Sequence, residues 1–166
     1  NYYADWTNWL PIMEAYEERR PSYFGTPAVN LVWALNVSLG QILDEGMDAR
    51  FRRHRRLNQA FKAAIGALGM KQVPLRSEVA ANTLTAPYYP DGVDKALLGH
   101  VKEAGVIVAG GLHPEIRDRY FRVGHMGAVN ESDILMTLGA LEKGLAQAGH
   151  RFDAGAGLAA AQALLT

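Results

Sequence analysis

The sequence contains no cysteine, and its positive and negative charges cancel. The lack of cysteine excludes disulfides, a catalytic thiolate and cysteine-ligated zinc. A formal net charge of zero, from 17 basic and 17 acidic residues, argues against partners held by bulk electrostatics, such as nucleic acid or a membrane surface. No apolar run approaches the roughly 20 residues of a membrane-spanning helix. The sequence therefore predicts a globular chain with neither a nucleic-acid nor a membrane partner.

Metal-binding and dinucleotide-binding patterns are also missing. The five histidines show no pair at the spacing by which a helix presents two metal ligands, so we predict no metal site. Gly110-Gly111 lacks the Gly-x-Gly-x-x-Gly continuation of a dinucleotide-binding turn. The carboxylates show no pairing of the kind that glycosidases use.

Targeting signals are not apparent at either end of the sequence. The N-terminus has neither a starting methionine nor a basic segment followed by an apolar one, which suggests a processed chain or a piece of a longer protein. The C-terminal residues, ALLT, are not a peroxisomal address of the Ser-Lys-Leu type. We therefore expect a location in the cytoplasm or in an organelle, such as the peroxisome or mitochondrion, reached by a signal elsewhere.

Residues 1–26 are rich in aromatic rings and lack a sustained hydrophobic period. We predict an extended arm with one helical stretch, Leu10 to Arg20. The rings are those of Tyr2, Tyr3, Trp6, Trp9, Tyr16, Tyr23 and Phe24. So many rings need a surface to cover, which predicts a contact with upstream sequence or with a partner chain.

Two long helices are predicted to follow the arm. Thr26 is a good N-cap and Pro27 is favoured at the first helical position, so the first helix begins there and ends at Gly46. Its apolar face is wide, which predicts that another domain or subunit covers more than one side. The second helix runs from Met47 to Leu68 and ends at Gly69. Its inner stripe comprises Leu57, Phe61, Ala64, Ile65 and Leu68.

The rest of the chain alternates strands and helices. The predicted strands are 79–86, 106–109 and 120–123, and the predicted helices begin at Asp91, Asn130 and Gly157 and end near Ala104, Gly149 and Leu165. This order predicts an α+β fold, within the broader α/β class, in which a small mixed βαββα domain follows the arm and the two helices. The predicted segments are 1–26, 27–69 and 70–166.

The stretch RYFRVGHMG at 119–127 places a charged residue inside an apolar alternation. In an extended strand, Arg122 shares one face with Tyr120 and Gly124, while its apolar neighbours take the other. A guanidinium fork matches a carboxylate through two hydrogen bonds, and the glycine lets a ligand approach the main chain. Arg122 is therefore a candidate anion-binding residue. The alternative is a strand arginine that reaches water or pairs with an acid.

The stretch YFGTP at 23–27 is a second candidate site. The start of a helix presents free N–H groups and the positive end of the helix dipole, both of which attract phosphate. The Thr26 hydroxyl can accept a bond from its own helix and donate its proton to a phosphate oxygen, and Tyr23 offers a second hydroxyl. A plain capped helix is the alternative.

Two other features are less specific. The basic run from Arg50 to Arg56 has acidic residues beside it, so we interpret it as a solvated helix face rather than an anion or nucleic-acid patch. His125 stands near Arg122 and either lines the same site or has a structural role, and the sequence leaves both open.

Taken together, YFGTP before a long helix, VIVAGGLH at 106–113 and YFRVGHMG at 120–127 resemble the C-terminal portion of the class V, fold-type I aminotransferases, which use pyridoxal 5'-phosphate. Within that family the chain is similar to alanine–glyoxylate aminotransferases, also called serine–pyruvate or serine–glyoxylate aminotransferases. The resemblance covers nearly the whole chain, up to the helix before Gly149, and the order of the motifs is more specific than any one of them.

The resemblance implies a role for each candidate residue. Arg122 corresponds to the arginine that binds the α-carboxylate of the substrate. Tyr23 and Thr26 correspond to residues that reach across a homodimer to the cofactor phosphate of the neighbouring subunit. The arm and the first helix then belong to the dimer and interdomain interface, and residues 1–26 include the end of the large cofactor-binding domain.

The resemblance also implies what these residues do not supply. The lysines are Lys62, Lys71, Lys95, Lys102 and Lys143. None stands in the family's lysine motif, so the Schiff-base lysine is expected upstream of Asn1, and the chain alone is expected to be inactive. The complete enzyme is expected to move an amino group from alanine or serine to glyoxylate or pyruvate in a ping-pong cycle.

Two alternatives stay open. Another class V enzyme, such as a desulfurase or a phosphoserine or kynurenine-type enzyme, would use other chemistry, and the lack of cysteine argues against the desulfurase. A non-catalytic dimerisation or ligand-sensing module would keep the fold of the small domain without the reaction. A lysine-bound cofactor absorbs visible light, whereas a sensing module of this size should not.

Overall fold

The computed structural model describes residues 2–166, and Asn1, the first residue of the predicted arm, lies outside them. The helices are α1 (Trp6–Glu17), α2 (Val29–Glu45), α3 (Met47–Ala67), α4 (Leu97–Glu103), α5 (Glu131–Gln147) and α6 (Ala156–Leu165). The strands are β1 (Leu84–Thr85), β2 (Ala109–Gly110) and β3 (Phe121–Gly124), with a 3₁₀ turn at Ser77–Val79. The predicted α+β fold is confirmed. Among the described residues, no helix has the length and apolar character to cross a membrane.

The chain forms two compact units, one that ends at Gly46 and one that runs from Met47 to Thr166. The first unit contains α1 and α2, and the second contains the strands and the remaining helices. The two long helices, predicted together in segment 27–69, thus belong to different units. Burial explains the division, because α2 has no buried residue whereas seven residues of α3 are buried. This boundary differs from those predicted at residues 26 and 69.

α2 carries a broad apolar surface that its own unit leaves exposed. Trp33 is 72% exposed and Leu31 is 71% exposed. The other large apolar side chains exposed on this helix are Val29, Val32, Leu35, Val37, Leu39 and Leu43. Surfaces of this kind mark contacts with another chain or domain, so the cover predicted for this helix stays a prediction.

The start of α2 corrects the predicted cap. Thr26 is not the N-cap and Pro27 is not the first helical residue, because the helix begins at Val29 after Ala28 and no side chain caps it. The Val29 N–H donates to the Pro27 carbonyl at 2.9 Å, so the chain makes a tight turn before the first helical turn. The predicted end of the helix at Gly46 is confirmed by a φ of 79°, which suits glycine.

Two other helices also begin away from their predicted starts. α1 begins at Trp6 rather than Leu10, because Asp5 caps it by accepting a hydrogen bond from the Thr7 N–H at 3.0 Å. α4 begins at Leu97, later than predicted, because the residues before it form two tight turns. In both cases the cap geometry, rather than the apolar period, sets the first helical residue.

The sheet has three strands in the order β1-β3-β2 and is antiparallel throughout, where a mixed sheet was predicted. Leu84 of β1 pairs with Gly124 of β3, and Gly110 of β2 pairs with Phe121. β3 is therefore the central strand. Hydrogen-bonded neighbours on both sides fix the position of every residue that β3 carries.

Two strands are shorter than predicted. Only Leu84–Thr85 is paired within the predicted strand 79–86, and only Ala109 is paired within 106–109, followed by Gly110. The predicted burial of 106–109 is wrong at Ile107, which is 81% exposed. This segment leads into an edge strand, so alternate residues face away from the core while Val106 and Val108 pack partly against it.

The core of the second unit lies between the inner faces of α3 and α5 and the inner face of β3. The predicted stripe of α3 is confirmed, since its five side chains are each at most 1% exposed. The inner residues of α5 are Ile134, Leu138, Leu141 and Leu145, all buried. The predicted cap at Asn130 is also confirmed: its side chain accepts from the N–H groups of Ser132 and Asp133, and the Asp133 carboxylate accepts from Asn130 in return.

A carboxylate on the inner face of α5 holds α6 in place. Glu142 is buried, and its oxygens accept hydrogen bonds from the Gly155 N–H at 2.8 Å and the Leu158 N–H at 3.1 Å. No side chain of α6 caps this end of the helix. The negative charge thus stabilises the positive end of the α6 dipole. Gly157 leaves the carboxylate its space, because a Cβ there would lie 2.9 Å from it.

Candidate functional site

Arg122 lies in the middle of the sheet, on the central strand. Phe121 and Val123 are buried against the core, whereas Arg122 points to the other face and is partly exposed, so the predicted alternation is confirmed for these residues. Arg122 pairs with Ala109 of β2, and the strand continues to Gly124 beside β1. A rigid backbone on both sides therefore sets where the guanidinium begins.

The guanidinium of Arg122 is held at one nitrogen only. Its Nε donates a hydrogen bond to the Gly110 carbonyl at 2.8 Å. Within residues 2–166, no carboxylate lies within ion-pair distance of Arg122, and its two terminal nitrogens have no hydrogen-bond partner. The pairing with an acid, one of the alternatives from sequence, is therefore not present in this part of the chain. The two free nitrogens form the fork that a carboxylate matches.

His125 lies in the core next to the sheet, and its role there is structural. The residue is 1% exposed, its Nε2 lies 2.8 Å from the Thr85 hydroxyl, and its ring packs against Phe61 with 5.7 Å between the centroids. Burial lowers the pKa of His125 to about 4, helped by the nearby charges of Lys62 and His54. The imidazole is therefore neutral at physiological pH and does not supply a positive charge to a bound anion.

We predict that His125 makes the stability of this chain depend on pH. The unfolded histidine protonates near pH 6.5 and the folded one near pH 4, so the unfolded state binds more protons as the pH falls between these values. At pH 5 the chain is expected to be less stable than at pH 7 by about 2 kcal/mol from this residue alone. Urea unfolding at the two pH values measures the loss.

His125→Gln is the matched variant, because an amide can still bond to Thr85 but does not titrate. Carboxylates titrate in both proteins, so the difference between the two pH dependences isolates the histidine. We expect the variant to lose about 2 kcal/mol less than the wild type on going from pH 7 to pH 5. An identical loss in both would show that His125 protonates as easily in the folded chain as in the unfolded one.

Two residues of the basic run bind the loop that follows β3. Arg53 donates from its terminal nitrogens to the Val129 carbonyl at 2.6 Å and the Gly127 carbonyl at 2.9 Å. His54 accepts the Gly127 N–H at 3.1 Å through Nε2, so its Nδ1 carries the proton and donates to the Arg50 carbonyl at 2.8 Å. The interpretation of the whole run as a solvated face is therefore wrong at these two positions.

The spacing of His54 could have revealed this contact. His54 precedes Leu57 by three residues and Phe61 by seven, so it stands on the inner stripe of α3 rather than on its solvated face. A polar side chain on a buried stripe needs a partner, and the neighbouring loop supplies it. Arg56, further round the helix, forms an ion pair with Glu131 at the start of α5.

Tyr23 and Thr26 belong to the first unit and are exposed there, Tyr23 to 70%. Neither hydroxyl has a hydrogen-bond partner in the described part of the chain, since Thr26 does not cap α2. The loop that carries them is held by rings: Phe24 packs against Trp9 with 4.9 Å between the centroids and also against Tyr2 and Tyr3. Two free hydroxyls thus lie just before the N-terminus of a helix.

Among residues 2–166 no group of three or more potential ligand side chains could hold a metal ion. Arg122 belongs to the second unit, whereas Tyr23 and Thr26 belong to the first. Each of the three therefore offers unpaired donors to a ligand within its own unit.

Comparison with known proteins gives consistent relatives, although no family model matches. The chain is 39% identical over 128 residues to alanine–glyoxylate aminotransferase 1 of Saccharomyces cerevisiae, a match that covers 76% of this chain and 33% of the relative. It is 30% identical over 166 residues to serine–glyoxylate aminotransferase of Methylorubrum extorquens, covering 98% of this chain and 40% of the relative. The chain thus spans about a third of the length of the curated relatives it matches.

Solved structures give the same result. The pyridoxamine–pyruvate aminotransferase of Mesorhizobium loti superposes with a TM-score of 0.83 and 32% identity, over 89% of this chain and 38% of that structure. The ureidoglycine–glyoxylate aminotransferase of Bacillus subtilis superposes with a TM-score of 0.79 and 26% identity, over 84% of this chain and 36% of that one. Sequence and fold therefore point to the same set of proteins.

Proposed function

The chain belongs to the class V, fold-type I aminotransferases, and we propose that it supplies the carboxylate-binding and phosphate-binding side chains of such an enzyme. The substrates of the complete enzyme are a small amino acid, alanine or serine, and a keto acid, glyoxylate or pyruvate. Its relatives carry these molecules in their names. The enzyme acts as a homodimer in which this chain is joined to a large cofactor-binding domain.

The observation that carries the proposal is the free fork of Arg122. One nitrogen is fixed to the Gly110 carbonyl, and the other two have no partner among the described residues. Every amino donor and every keto-acid acceptor has an α-carboxylate, so one arginine can orient both substrates through two parallel hydrogen bonds. Because the sheet fixes the backbone of Arg122, little freedom is lost when the carboxylate binds.

Tyr23 and Thr26 fit the cofactor phosphate of pyridoxal 5'-phosphate. Their hydroxyls are exposed and unpaired, and they lie just before α2, whose N-terminus carries the positive end of the helix dipole. Both hydroxyls can donate to phosphate oxygens. When bound, the cofactor supplies the electron sink for loss of the substrate α-proton. The correction at Thr26 favours this role, since a capping threonine would have shared its oxygen with the helix.

The lysine that binds the cofactor lies outside this chain in our proposal. Lys62 is the lysine with a lowered pKa, which results from burial, but its Nζ donates to the Ala81 carbonyl at 2.9 Å. Lys95 is exposed and lies 3.6 Å from Asp118. A lysine held in this way by its own fold is not poised to attack an aldehyde, so the chain alone should not form a stable covalent complex.

Borohydride reduction tests this part of the proposal. The purified chain is mixed with pyridoxal 5'-phosphate, reduced and digested, and the modified lysines are located by mass spectrometry. We expect weak labelling spread over exposed lysines, and no absorption band that survives dialysis before reduction. One stoichiometric adduct, at Lys62 for example, would overturn the assignment and make this chain a complete cofactor site. An enzyme that includes the upstream domain serves as the positive control.

A further inference from the structure

Tyr120 holds the loop after β2 from the same strand that carries Arg122. Its hydroxyl oxygen accepts hydrogen bonds from the Leu112 N–H at 2.9 Å and the His113 N–H at 3.2 Å. Its own carbonyl accepts the Gly111 N–H at 3.1 Å. The residue is 7% exposed, although the adjacent loop residues Leu112 and His113 are exposed. A buried phenol that accepts two main-chain donors is a specific anchor, because few side chains offer an acceptor at that reach.

The ring of Tyr120 also determines which residue can stand at position 111. A Cβ on Gly111 would lie 2.5 Å from the Tyr120 ring and 2.5 Å from the Arg117 carbonyl oxygen. Real side chains do not approach this closely, so the loop lies flat against the ring only because Gly111 has no side chain. Strand and loop are therefore complementary in shape as well as in hydrogen bonding.

The loop held in this way is the one that holds Arg122. The carbonyl that accepts the Arg122 Nε belongs to Gly110, which directly precedes Gly111 and pairs with Phe121 in the sheet. Tyr120 thus fixes the far side of a loop whose near side restrains the guanidinium. The main-chain donors of His113 and Leu112 lower the pKa of Tyr120, which agrees with a strong acceptor role for its oxygen.

We infer that Tyr120 is a positioning residue for the carboxylate fork: through Gly111 and Gly110 it fixes the carbonyl that aims Arg122. The inference rests on the proposed function of Arg122. An arginine side chain has several rotatable bonds, and an aimed guanidinium loses less freedom on binding than a mobile one. The effect should therefore fall on substrate binding rather than on the chemical step.

Tyr120→Phe tests the inference in the complete enzyme. The variant keeps the ring over Gly111 but removes the acceptor from the Leu112 and His113 N–H groups. We expect KM for the amino donor and for the keto acid to rise about tenfold each, with kcat changed less than about twofold. Tyr88→Phe is the matched control, since the Tyr88 ring packs at 6.5 Å from that of Tyr120 but its hydroxyl makes no bond to the loop. The control should keep wild-type KM values.

The same substitution in an Arg122→Lys background separates the two hypotheses. If Tyr120 acts through Arg122, adding Tyr120→Phe to the lysine variant should change KM by less than about twofold, because no fork remains to be aimed. Equal tenfold effects in both backgrounds, or no effect of Tyr120→Phe alone, would overturn the positioning role while leaving the proposed function standing. A wild-type KM in the lysine variant alone would instead overturn the proposed function.

A measurement on the 166-residue chain does not depend on activity. Amide hydrogen exchange at Leu112 and His113 should accelerate at least about tenfold in Tyr120→Phe, whereas exchange at the buried strand residue Val123 should be unchanged. Unchanged exchange at Leu112 and His113 would show that the hydroxyl does not hold the loop. Faster exchange throughout, including Val123, would show general unfolding and likewise contradict a local role.

Discussion

Arg122→Lys is expected to lower kcat/KM of the complete enzyme about 100-fold for both substrates, which corresponds to about 2.7 kcal/mol of transition-state binding. Lysine keeps the positive charge but is a point charge with a flexible stem, and it cannot make two parallel hydrogen bonds to one carboxylate. It also has no second nitrogen for the Gly110 carbonyl that now binds the arginine Nε. Steady-state kinetics with the amino donor varied, and then with the keto acid varied, measure both effects.

The two half-reactions should suffer together, since each substrate carries its own α-carboxylate. Arg119→Lys is a suitable control: Arg119 is exposed, lies 5.7 Å from the Tyr88 ring and is three residues from Arg122 on the same segment. Its kinetics should stay within about twofold of wild type. Because Arg122 is partly exposed, thermal unfolding of Arg122→Lys should match the wild type closely. Wild-type efficiency in the lysine variant would refute the role assigned to Arg122.

The elements with long, regular patterns could be predicted from the sequence. Leu57, Phe61 and Ile65 recur at helical spacing and are all fully buried on α3. Asn130 caps α5 and Gly46 ends α2, because these residue types suit those backbone positions. Arg122 was identified for a related reason: a charge within an apolar strand is unusual enough to stand out in a single sequence.

The contacts that depend on residues far apart in the chain could not be predicted. Tyr120 reads as an ordinary strand aromatic, and its two hydrogen bonds to the loop follow from how a hairpin folds back, which no local pattern encodes. Glu142 reads as a surface charge on α5, yet it accepts two N–H groups of α6. The short strands were overestimated for the same reason, since pairing partners rather than residue types decide where a strand ends.

Thr26 illustrates a different kind of error. Its identity suggested a cap, but Val29 is the first helical residue and the hydroxyl stays unpaired in the described part of the chain. The chemical hypothesis built on it does not need the cap, because a free hydroxyl near a helix N-terminus suits a phosphate better than a shared one. The prediction for Thr26 therefore changes in its structural part and stays a prediction in its functional part.

A dimer with Arg122→Lys in one subunit and Tyr23→Phe with Thr26→Val in the other is expected to keep about half of the wild-type activity. In our proposal Arg122 serves the active site of its own subunit, whereas Tyr23 and Thr26 serve that of the neighbour. Both defects then fall in one active site of the mixed dimer, and the second active site is intact. If all three residues served their own subunit, each site would have one defect and little activity would remain.

Co-expression of the two variants with different affinity tags, followed by purification on both tags, isolates the mixed dimer. Each parent homodimer should be strongly impaired, the phosphate variant most visibly at limiting cofactor, since a hydrogen bond to a charged group contributes about 1.5–3 kcal/mol. A dimer with both sets of substitutions in one subunit and a wild-type partner is the matched control. In our arrangement each of its sites carries one defect, so it should be impaired, whereas the opposite ranking of the two dimers would place Tyr23 and Thr26 in the same active site as Arg122 of their own chain.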